Sequence, residues 1–223
     1  MGVRRPLRVL ITAGPTREPI DPVRYLSNYS TGYMGSRLAA ECLRRGHRVT
    51  VVSGPGSEAF PSRARVILVE RTEEMGRAVR TQAPRMDIVV MAAAVSDFRL
   101  ARLAHAKLPR SPRLTLRLAA TPDLVGRLPR RRHQLVVGFA LESHDVVARA
   151  RRKLREKRLD LLLAQRADHR TIPFGRRHVQ AWLLGSDGEA QTLGRLSKPD
   201  VARVLLDKIE ALWYGQRYQR TTG

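Results

Sequence analysis

The segment RVLITAGPTREPIDPVRYLSNYSTGYMG, residues 8–35, places a long polar loop between an apolar strand and the start of a helix. Residues 9–11 predict a short buried strand, and the small residues 12–16 that follow let a ligand approach the backbone closely. Gly32 and Gly35 open the predicted helix, whose N-terminus is an anion site because its N–H groups are unpaired and its dipole favours negative charge. Long loops inside compact domains are usually functional. The segment therefore predicts a phosphate-binding loop after the first strand.

Apolar and amphipathic stretches alternate along the rest of the chain. Short runs rich in Val, Ile and Leu are followed by stretches with helical periodicity, which is typical of a parallel sheet with crossover helices. We therefore predict an α/β fold, a Rossmann-like mostly parallel sheet with helices on both faces, plus a small hairpin and a flap loop. The predicted strands cover residues 9–11, 47–53, 66–69, 87–91, 135–140 and 159–164, and the predicted helices cover residues 36–45, 73–82 and 145–157.

Less regular segments complete the prediction. Residues 179–184 and 191–193 flank a Ser-Asp-Gly turn and predict a hairpin. Residues 114–118 alternate polar and apolar side chains, as an antiparallel or exposed strand does. Residues 101–113 hold Lys107 among prolines and small residues, and we expect a mobile flap there.

The C-terminal part of the chain predicts one more helix. Ser197 is a favourable cap and Pro199 suits the first turn. No pattern continues beyond Tyr214. We therefore expect a single domain over residues 1–214 and a frayed tail over residues 215–223.

The charge of the chain is its most unusual compositional property. The 223 residues carry a formal net charge of +22, yet only five of them are lysines, and the arginines are spread along the whole chain. A basic nucleic-acid-binding module is therefore one alternative, since such chains release counterions from polyphosphate. Aromatic residues make up 5% of the chain and are not interleaved with basic ones, which argues against a surface that stacks bases. We expect an anionic small-molecule substrate and no specific nucleic acid.

The sequence also bears on the cellular compartment in which the protein is expected. No apolar run approaches the roughly 20 residues needed to span a bilayer, and the N-terminus lacks the apolar region and cleavage site of a signal peptide. We therefore expect a cytoplasmic protein that does not bind membranes. The single cysteine, Cys42, excludes an intramolecular disulfide and is interpreted as a packed thiol. No Cys or His spacing indicates a metal site, so no metal ligand is predicted.

Five motifs occur in an order that resembles the phosphopantothenate-cysteine ligase family, also called phosphopantothenoylcysteine synthetase. The likeness extends over residues 8–212, essentially the full chain. The motifs are TAGPTREPIDPVRYLSN with STGYMG (12–28 and 30–35), AAAVSDF (92–98), TPD (121–123), VGFALE (137–142) and KLREKRLD (153–160).

The resemblance implies a ligase that joins 4′-phosphopantothenate to L-cysteine on the route to coenzyme A. A carboxylate must first gain a better leaving group, so the family transfers a nucleotide to it and releases pyrophosphate before the cysteine amine attacks. Because bacterial members of this form use CTP, CTP is the expected co-substrate rather than ATP, and Mg²⁺ is expected to bridge the phosphates. Such chemistry depends mainly on positioning and electrostatics.

The resemblance also assigns roles to residues. Asn28 is expected to hold the acyl group, and Lys107 is expected to neutralise charge on the leaving phosphate from the flap. Arg24 is expected to reach the substrate in a neighbouring subunit, which implies a homodimer with shared sites. The implied substrate-binding residues are Arg24, Asn28, Ala93, Ala94 and Asp97. The implied nucleotide-binding residues are Gly14, Ser30, Gly32, Gly35, Asp97, Lys107, Pro122, Asp123, Phe139, Lys153 and Lys157.

The residue types are compatible with these roles. Gly14, Ala93 and Phe139 are predicted to lie at strand carboxyl ends, where ligands of such folds bind. Lys153 and Lys157 are four residues apart and share one helical face.

The sequence departs from the family pattern at several positions. Tyr33 stands where the family usually has a lysine, and Lys107-Leu108-Pro109-Arg110 stands where it has Lys-Ile-Lys-Lys. Gln165 replaces an asparagine, and Arg176-Arg177 interrupts a Phe-x-Ser-x-x-Asn segment. These changes bear on nucleotide affinity more than on the class of reaction.

Two further expectations concern the context of the reaction. Many bacterial relatives carry an upstream flavin-dependent decarboxylase, and no segment of that length precedes residue 8. We therefore expect a standalone ligase with a separate decarboxylase as a partner. The second alternative is a Rossmann-type NAD(P)-dependent oxidoreductase, but Ser53-Gly54 offers no carboxylate for a ribose at the end of the second strand, and a Tyr-x-x-x-Lys pair is absent.

Overall fold

The computed structural model of the protein describes residues 5–168 and 172–221. Its strands are β1 (Arg8–Ala13), β2 (Arg17–Pro19), β3 (Tyr25–Ser27), β4 (Arg48–Ser53), β5 (Arg65–Leu68), β6 (Ile88–Met91), β7 (Phe98–Leu100), β8 (Leu118–Ala120), β9 (Leu135–Glu142), β10 (Leu161–Arg166), β11 (Val179–Gly185) and β12 (Ala190–Leu196). Its helices are α1 (Tyr33–Arg44), α2 (Thr72–Gln82), α3 (Val146–Glu156) and α4 (Lys198–Thr221), with one 3₁₀ turn at Ala83–Arg85.

Eight strands form one sheet in the order β12-β11-β10-β9-β6-β1-β4-β5. The strands from β10 to β5 are parallel to their neighbours, whereas β11 and β12 are antiparallel and form an edge hairpin. Because these six strands are parallel, their carboxyl ends, including those of β1, β6 and β9, lie at the same edge of the sheet. The Rossmann-like prediction, including the hairpin, is confirmed.

The core lies on both faces of the sheet. On one face, α1 packs against β1, including Val9 and Ile11, and α4 packs against α1 and β11. Residues of α2 and α3 pack with Leu10 on the other face. This alternation follows from the twofold periodicity of a strand, and it confirms that helices cover both faces.

The structure corrects the predicted long loop. Within it, β2 and β3 pair as an antiparallel hairpin with Arg17 opposite Ser27, joined by residues 20–24. A second small pair joins β7 and β8, with Phe98 opposite Ala120. The antiparallel strand was predicted at residues 114–118. The structure has it at residues 118–120, where it pairs with the three-residue strand β7.

Two helix boundaries also differ from the prediction. The first helix begins at Tyr33, not residue 36, because Gly32 takes the capping position and Gly35 lies inside the first turn. The last helix extends to Thr221, so the backbone of most of residues 215–223, where we expect a frayed tail, is assigned to α4. The sequence between Gly215 and Thr221 contains no proline that would stop a helix. No helix in the described ranges is long and apolar enough to cross a membrane.

Candidate active site

A cavity of about 630 Å³ opens at the carboxyl ends of the central strands, and we call it the main cavity. Its wall contains residues from the ends of β1, β6 and β9, from the start of α1 and from one face of α3. All but two of the residues to which the sequence assigns a role line the main cavity. The residues that line it are Gly14, Asn28, Ser30, Gly32, Gly35, Ala93, Ala94, Asp97, Pro122, Asp123, Phe139, Lys153 and Lys157.

The start of α1 presents its backbone to the main cavity. Gly32 caps the helix in the left-handed region, with φ of 86°, which favours glycine. No side chain caps the helix and no acidic residue lies in its first turn. Gly35 packs so closely on β1 that a Cβ atom there would lie 2.4 Å from the Cβ atom of Ala13. The helix start is thus fixed against the sheet with the electrostatic character of an anion site.

Asn28 connects the loop before α1 to the loop after β6. Its Nδ2 atom donates hydrogen bonds to the carbonyl oxygens of Ala94 and Val95, at 3.0 and 3.1 Å. The Asn28 side chain is exposed at the cavity wall. The two bonds use both hydrogens of the amide group.

Buried hydroxyl groups hold the segment after β6 in place. Thr12 Oγ1 accepts from the backbone N–H of Ala93 at 3.1 Å, and Thr16 Oγ1 accepts from that of Ser96 at 2.9 Å. Thr16 also exchanges a hydrogen bond of 2.9 Å with Thr72 on α2. The loop that carries Ala93, Ala94 and Asp97 is therefore fastened to the end of β1.

The end of the main cavity on the α3 side carries an aromatic ring and an ion pair. Phe139 was predicted to end its strand, but β9 continues to Glu142 and Phe139 pairs within the sheet opposite Leu163. Lys157 forms an ion pair with Asp123. Burial acts to raise the pKa of Asp123, but the hydrogen bonds from Lys157 and from the N–H of Gly126 outweigh it and hold that pKa below its ordinary value.

Arg24 and Lys107 are not in the main cavity. They line a second cavity of about 430 Å³ together with residues 108–111 and Leu114. Lys107 was expected beside the nucleotide phosphates, and the structure does not bring it to the other residues predicted to hold them. Lys107 lies on the long connection between β7 and β8, two strands that pair with each other outside the large sheet.

The second cavity is organised by the carboxylate of Asp21. Asp21 Oδ2 accepts from Arg24 Nε at 2.9 Å and from the N–H of Leu108 at 3.1 Å. Arg24 Nη2 in turn donates to the carbonyl oxygen of Leu108 at 2.7 Å. The Arg24 guanidinium holds the pKa of Asp21 well below its usual range, helped by backbone N–H groups. The connection that carries Lys107 is therefore anchored at Leu108.

Sequence reasoning missed Lys198 as a wall residue of the main cavity. Its Nζ atom donates to the carbonyl oxygen of Gly175 at 2.7 Å. Lys198 is one of only five lysines in an arginine-dominated chain, the same signal that draws attention to Lys107. Two of the departures from the family pattern, Tyr33 and Gln165, line the main cavity as well.

Across the described part of the chain, no group of three or more His, Cys, Asp and Glu side chains is placed to hold a metal ion. Asp97 and Asp123 are the two carboxylates of the main cavity wall, and Asp123 is already paired with Lys157. This donor set suits a Mg²⁺ ion held mostly by phosphates and water, with few protein ligands.

The fold and the main cavity define a Rossmann-like α/β domain with a ligand site at the carboxyl edge of its parallel strands. The family model described as DNA/pantothenate metabolism flavoprotein C-terminal domain matches residues 5–212. The chain belongs to this family.

Curated relatives carry the name coenzyme A biosynthesis bifunctional protein CoaBC. The chain is 40% identical to the protein of Vibrio vulnificus over 209 residues, which is 92% of this chain and 52% of that protein. It is 39% identical to the protein of Escherichia coli K12, covering 91% and 51%. The chain thus spans about half the length of the curated relatives it matches.

Solved structures agree with the fold. The crystal structure of the C-terminal domain of CoaBC has a TM-score of 0.79 at 33% identity, covering 95% of this chain and all of that one. The Cab2 mutant H337A in complex with phosphopantothenate-cysteine has a TM-score of 0.74, covering 95% of this chain and 89% of that one. At 17% identity, this second likeness shows the fold alone.

Proposed function

We propose that the protein joins 4′-phosphopantothenate to L-cysteine through an acyl-nucleotide intermediate, in coenzyme A biosynthesis. The observation that carries this proposal is the convergence of the family motifs on the main cavity, from the glycine-flanked start of α1 to Lys153 and Lys157 on α3. The relatives named as coenzyme A biosynthesis proteins support it.

The proposed reaction has two steps. A carboxylate oxygen of phosphopantothenate attacks the α-phosphorus of the nucleoside triphosphate, and the bond from that phosphorus to the bridging oxygen breaks as pyrophosphate leaves. The amine nitrogen of cysteine then attacks the acyl carbon, nucleoside monophosphate leaves and the nitrogen loses a proton. Each step develops negative charge on phosphate oxygens, which fixed N–H groups and cations stabilise.

The shape of the main cavity supports an orientation for the nucleotide. The phosphates lie at the start of α1, where Gly32 and Gly35 line the cavity and no acidic residue lies in the first turn. The base and ribose lie toward Phe139 and the face of α3 that carries Lys153 and Lys157. CTP is the proposed nucleotide, and Mg²⁺, where bound, supplies charge neutralisation between the phosphates.

Asn28 is proposed to change partners during the reaction. Both hydrogens of its amide bind the carbonyls of Ala94 and Val95. To donate to the acyl oxygen of the intermediate, Asn28 gives up one of these two bonds. The other bond keeps the amide next to the loop that carries Asp97, so one residue positions both the loop and the acyl group.

Arg24 and Lys107 are proposed to serve the site of a partner subunit. Both line the second cavity rather than the main cavity, and Asp21 and Leu108 tie their segments together. Because Arg24 and Lys107 are held close together, we expect both side chains to act on the same bound substrate. If Arg24 reaches a neighbouring subunit, Lys107 goes with it, and the main cavity of one subunit is completed by the second cavity of the other.

The experiment is a pyrophosphate-release assay with phosphopantothenate and cysteine, run in parallel with CTP, ATP and NADPH. We expect phosphopantothenoylcysteine, pyrophosphate and cytidine monophosphate in equal amounts. Orthophosphate and a nucleoside diphosphate would contradict the acyl-nucleotide route. Consumption of NADPH without nucleotide would favour the oxidoreductase alternative instead.

Two contextual proposals accompany the activity. We place the reaction in the cytoplasm, and we propose that a separate decarboxylase consumes its product. The bifunctional names of the relatives, of which this chain matches about half, support that second role. Copurification of such an enzyme, or turnover of the product when one is added, tests it.

A further inference from the structure

Three cationic side chains surround one aromatic ring beside the main cavity. The ring is that of Tyr33, the first residue of α1. The guanidinium carbon of Arg37 lies 5.1 Å from the ring centroid, that of Arg176 lies 5.6 Å away, and Nζ of Lys198 lies 5.9 Å away. Such distances are within the range of cation–π attraction.

The positive charge of this cluster is only partly neutralised. Glu58 is the carboxylate in contact with it, with 3.7 Å between Glu58 Oε2 and Arg176 Nη2. Lys198 donates to a neutral carbonyl oxygen, that of Gly175. The Nε atom of Arg37 is buried without a hydrogen-bond partner. Within the part of the chain that the structure describes, three cations therefore face one carboxylate, and a bound anion would stabilise this arrangement.

The cluster borders the part of the cavity where the phosphates are proposed to lie. Tyr33, Gly175 and Lys198 line the main cavity, as do Ser30 and Gly32, whereas the exposed side chain of Arg176 lies beside its wall, next to Gly175. Lys198 is only 5% exposed, so burial fixes where its ammonium group points. At the α3 end of the cavity, Lys157 is paired with Asp123, and Lys153 is the second lysine of the wall. The Tyr33 side adds a second group of positive charges to the cavity.

We propose that Lys198 and Arg176 bind the terminal phosphates of the nucleoside triphosphate, with Tyr33 orienting both cations. This inference rests on the proposed function. It names the residues that distinguish a triphosphate from a monophosphate.

Two departures from the family pattern are explained together by this subsite. Tyr33 occupies the position of a family lysine, and Arg176 lies in the altered segment after Phe174. The two side chains contact each other in the structure. The charge lost at position 33 is thus replaced by a guanidinium that packs on the tyrosine ring. A planar guanidinium suits this task because it stacks on the ring and still donates to phosphate.

The lowered pKa of Lys198 indicates that its ammonium group is buried without a close anionic partner that fully compensates the burial. Burial lowers this pKa to about 8, and the charge of Glu58 only partly opposes the effect. A bound phosphate would favour the ammonium form and raise the pKa again.

The test compares the affinities for CTP, CDP and CMP by titration calorimetry in the presence of Mg²⁺. The variants are Lys198→Met and Arg176→Ala, with Lys208→Met on the same helix and Arg177→Ala next to Arg176 as matched controls. We expect each of the first two variants to raise the Kd for CTP by about tenfold or more, on the scale of one charged hydrogen bond. The Kd for CMP should stay within about twofold in all four variants, and the controls should bind CTP normally.

Two results would overturn the inference. One is an equal loss of CTP and CMP affinity, which would make the cluster structural. The other is unchanged CTP affinity in Arg176→Ala, whose side chain is 77% exposed and whose loss should not disturb folding. Failure of the proposed function is recognised separately, because then the unmodified protein forms no phosphopantothenoylcysteine. If it does form the product while the variants keep their CTP affinity, only the present inference is wrong.

Discussion

The main cavity and the second cavity are built in opposite ways. The main cavity lies on strand ends and helix starts, and hydroxyl groups of Thr12 and Thr16 fasten its loops to the sheet. The second cavity lies on a connection of irregular backbone that is held mainly by Asp21. The main cavity is thus supported by the sheet itself. The second cavity is lined by the cationic side chains of Arg24, Lys107 and Arg110, of which Arg24 is paired with the carboxylate of Asp21.

This difference predicts how variants in the two cavities differ. A residue of the main cavity acts on the rigid frame of its own subunit. A residue of the second cavity acts, under the shared-site proposal, at the edge of the partner's main cavity. Variants in the main cavity and in the second cavity should therefore differ in how much activity they lose. They should also differ in whether a second chain in the dimer can restore that activity.

The largest expected effect is that of Asn28→Asp. The new carboxylate would face the carbonyl oxygens of Ala94 and Val95, to which Asn28 now donates, and would add negative charge beside an anionic intermediate. We expect turnover to fall by about 100-fold or more, the scale of losing one preorganised donor. Steady-state assay of pyrophosphate release measures it.

Asn28→Ser is the informative companion of that variant, since it removes the bonds without adding charge. If Asn28→Asp turned over normally, Asn28 would be a structural residue of the loop. A loss in Asn28→Asp that Asn28→Ser does not share would assign the effect to charge repulsion alone.

The next effect in size is that of Lys107→Gln. An ammonium group that neutralises the leaving pyrophosphate acts more strongly in the transition state than in the bound complex, so turnover should fall about tenfold or more while the nucleotide Kd changes little. Lys107→Arg should restore only part of the turnover, because a guanidinium is not a point charge. Parallel measurement of turnover and CTP affinity checks both variants, and normal turnover in both would make Lys107 an ordinary surface charge.

A mixed dimer tests the sharing directly. Arg24→Ala should fold normally and bind phosphopantothenate weakly. In a dimer of one Arg24→Ala chain and one Asn28→Asp chain, one of the two sites regains both residues. A random mixture should then show about a quarter of the activity of the unmodified protein, since half of its dimers are mixed. A verified mixed dimer with no regained activity would place Arg24 in its own subunit's site.

The same contrast explains what could be predicted from the sequence. Strands such as β1 and β9 and the helix α3 were located because buried strands and amphipathic helices have a clear period. The residues of the main cavity follow those elements, so their convergence could be inferred from strand ends. The roles given to them by the family resemblance remain predictions.

The features that were wrong or missed depend on contacts between distant segments. The hairpin of β2 and β3 has only three residues in each strand, too short for a visible alternation. Lys107 was separated from the main cavity because Asp21, 87 positions from Leu108, fixes the loop elsewhere. Lys198 lies on a helix start far along the chain, and nothing in its local sequence shows that it borders Tyr33.

The smallest expected effect is that of Asp21→Asn, which weakens the second cavity and leaves the main cavity intact. The asparagine keeps an acceptor for the N–H groups of Val23 and Arg24 but loses the charge that binds the guanidinium. We expect a few-fold higher KM for phosphopantothenate, nearly normal turnover and faster tryptic cleavage within residues 101–113. Equal protection of the loop in both proteins would show that Asp21 does not anchor it.

The pH dependence of that variant gives a second and independent measurement. The folded pKa of Asp21 lies below its unfolded value of about 4, so the carboxylate stabilises the fold at every pH above that value. The contribution is lost as the pH falls from about 5 through the folded pKa, because the protonated acid no longer pairs with Arg24. The thermal midpoint of Asp21→Asn should therefore lie below that of the unmodified protein at pH 7, and the gap should narrow at pH 3. Glu73→Gln, which removes an exposed ion pair to Arg77 at 3.7 Å, should show almost no gap at either pH. If this difference in thermal midpoint stayed constant with pH, the charge of Asp21 would not hold the loop that carries Lys107. The proposed difference in construction between the main cavity and the second cavity would then be wrong.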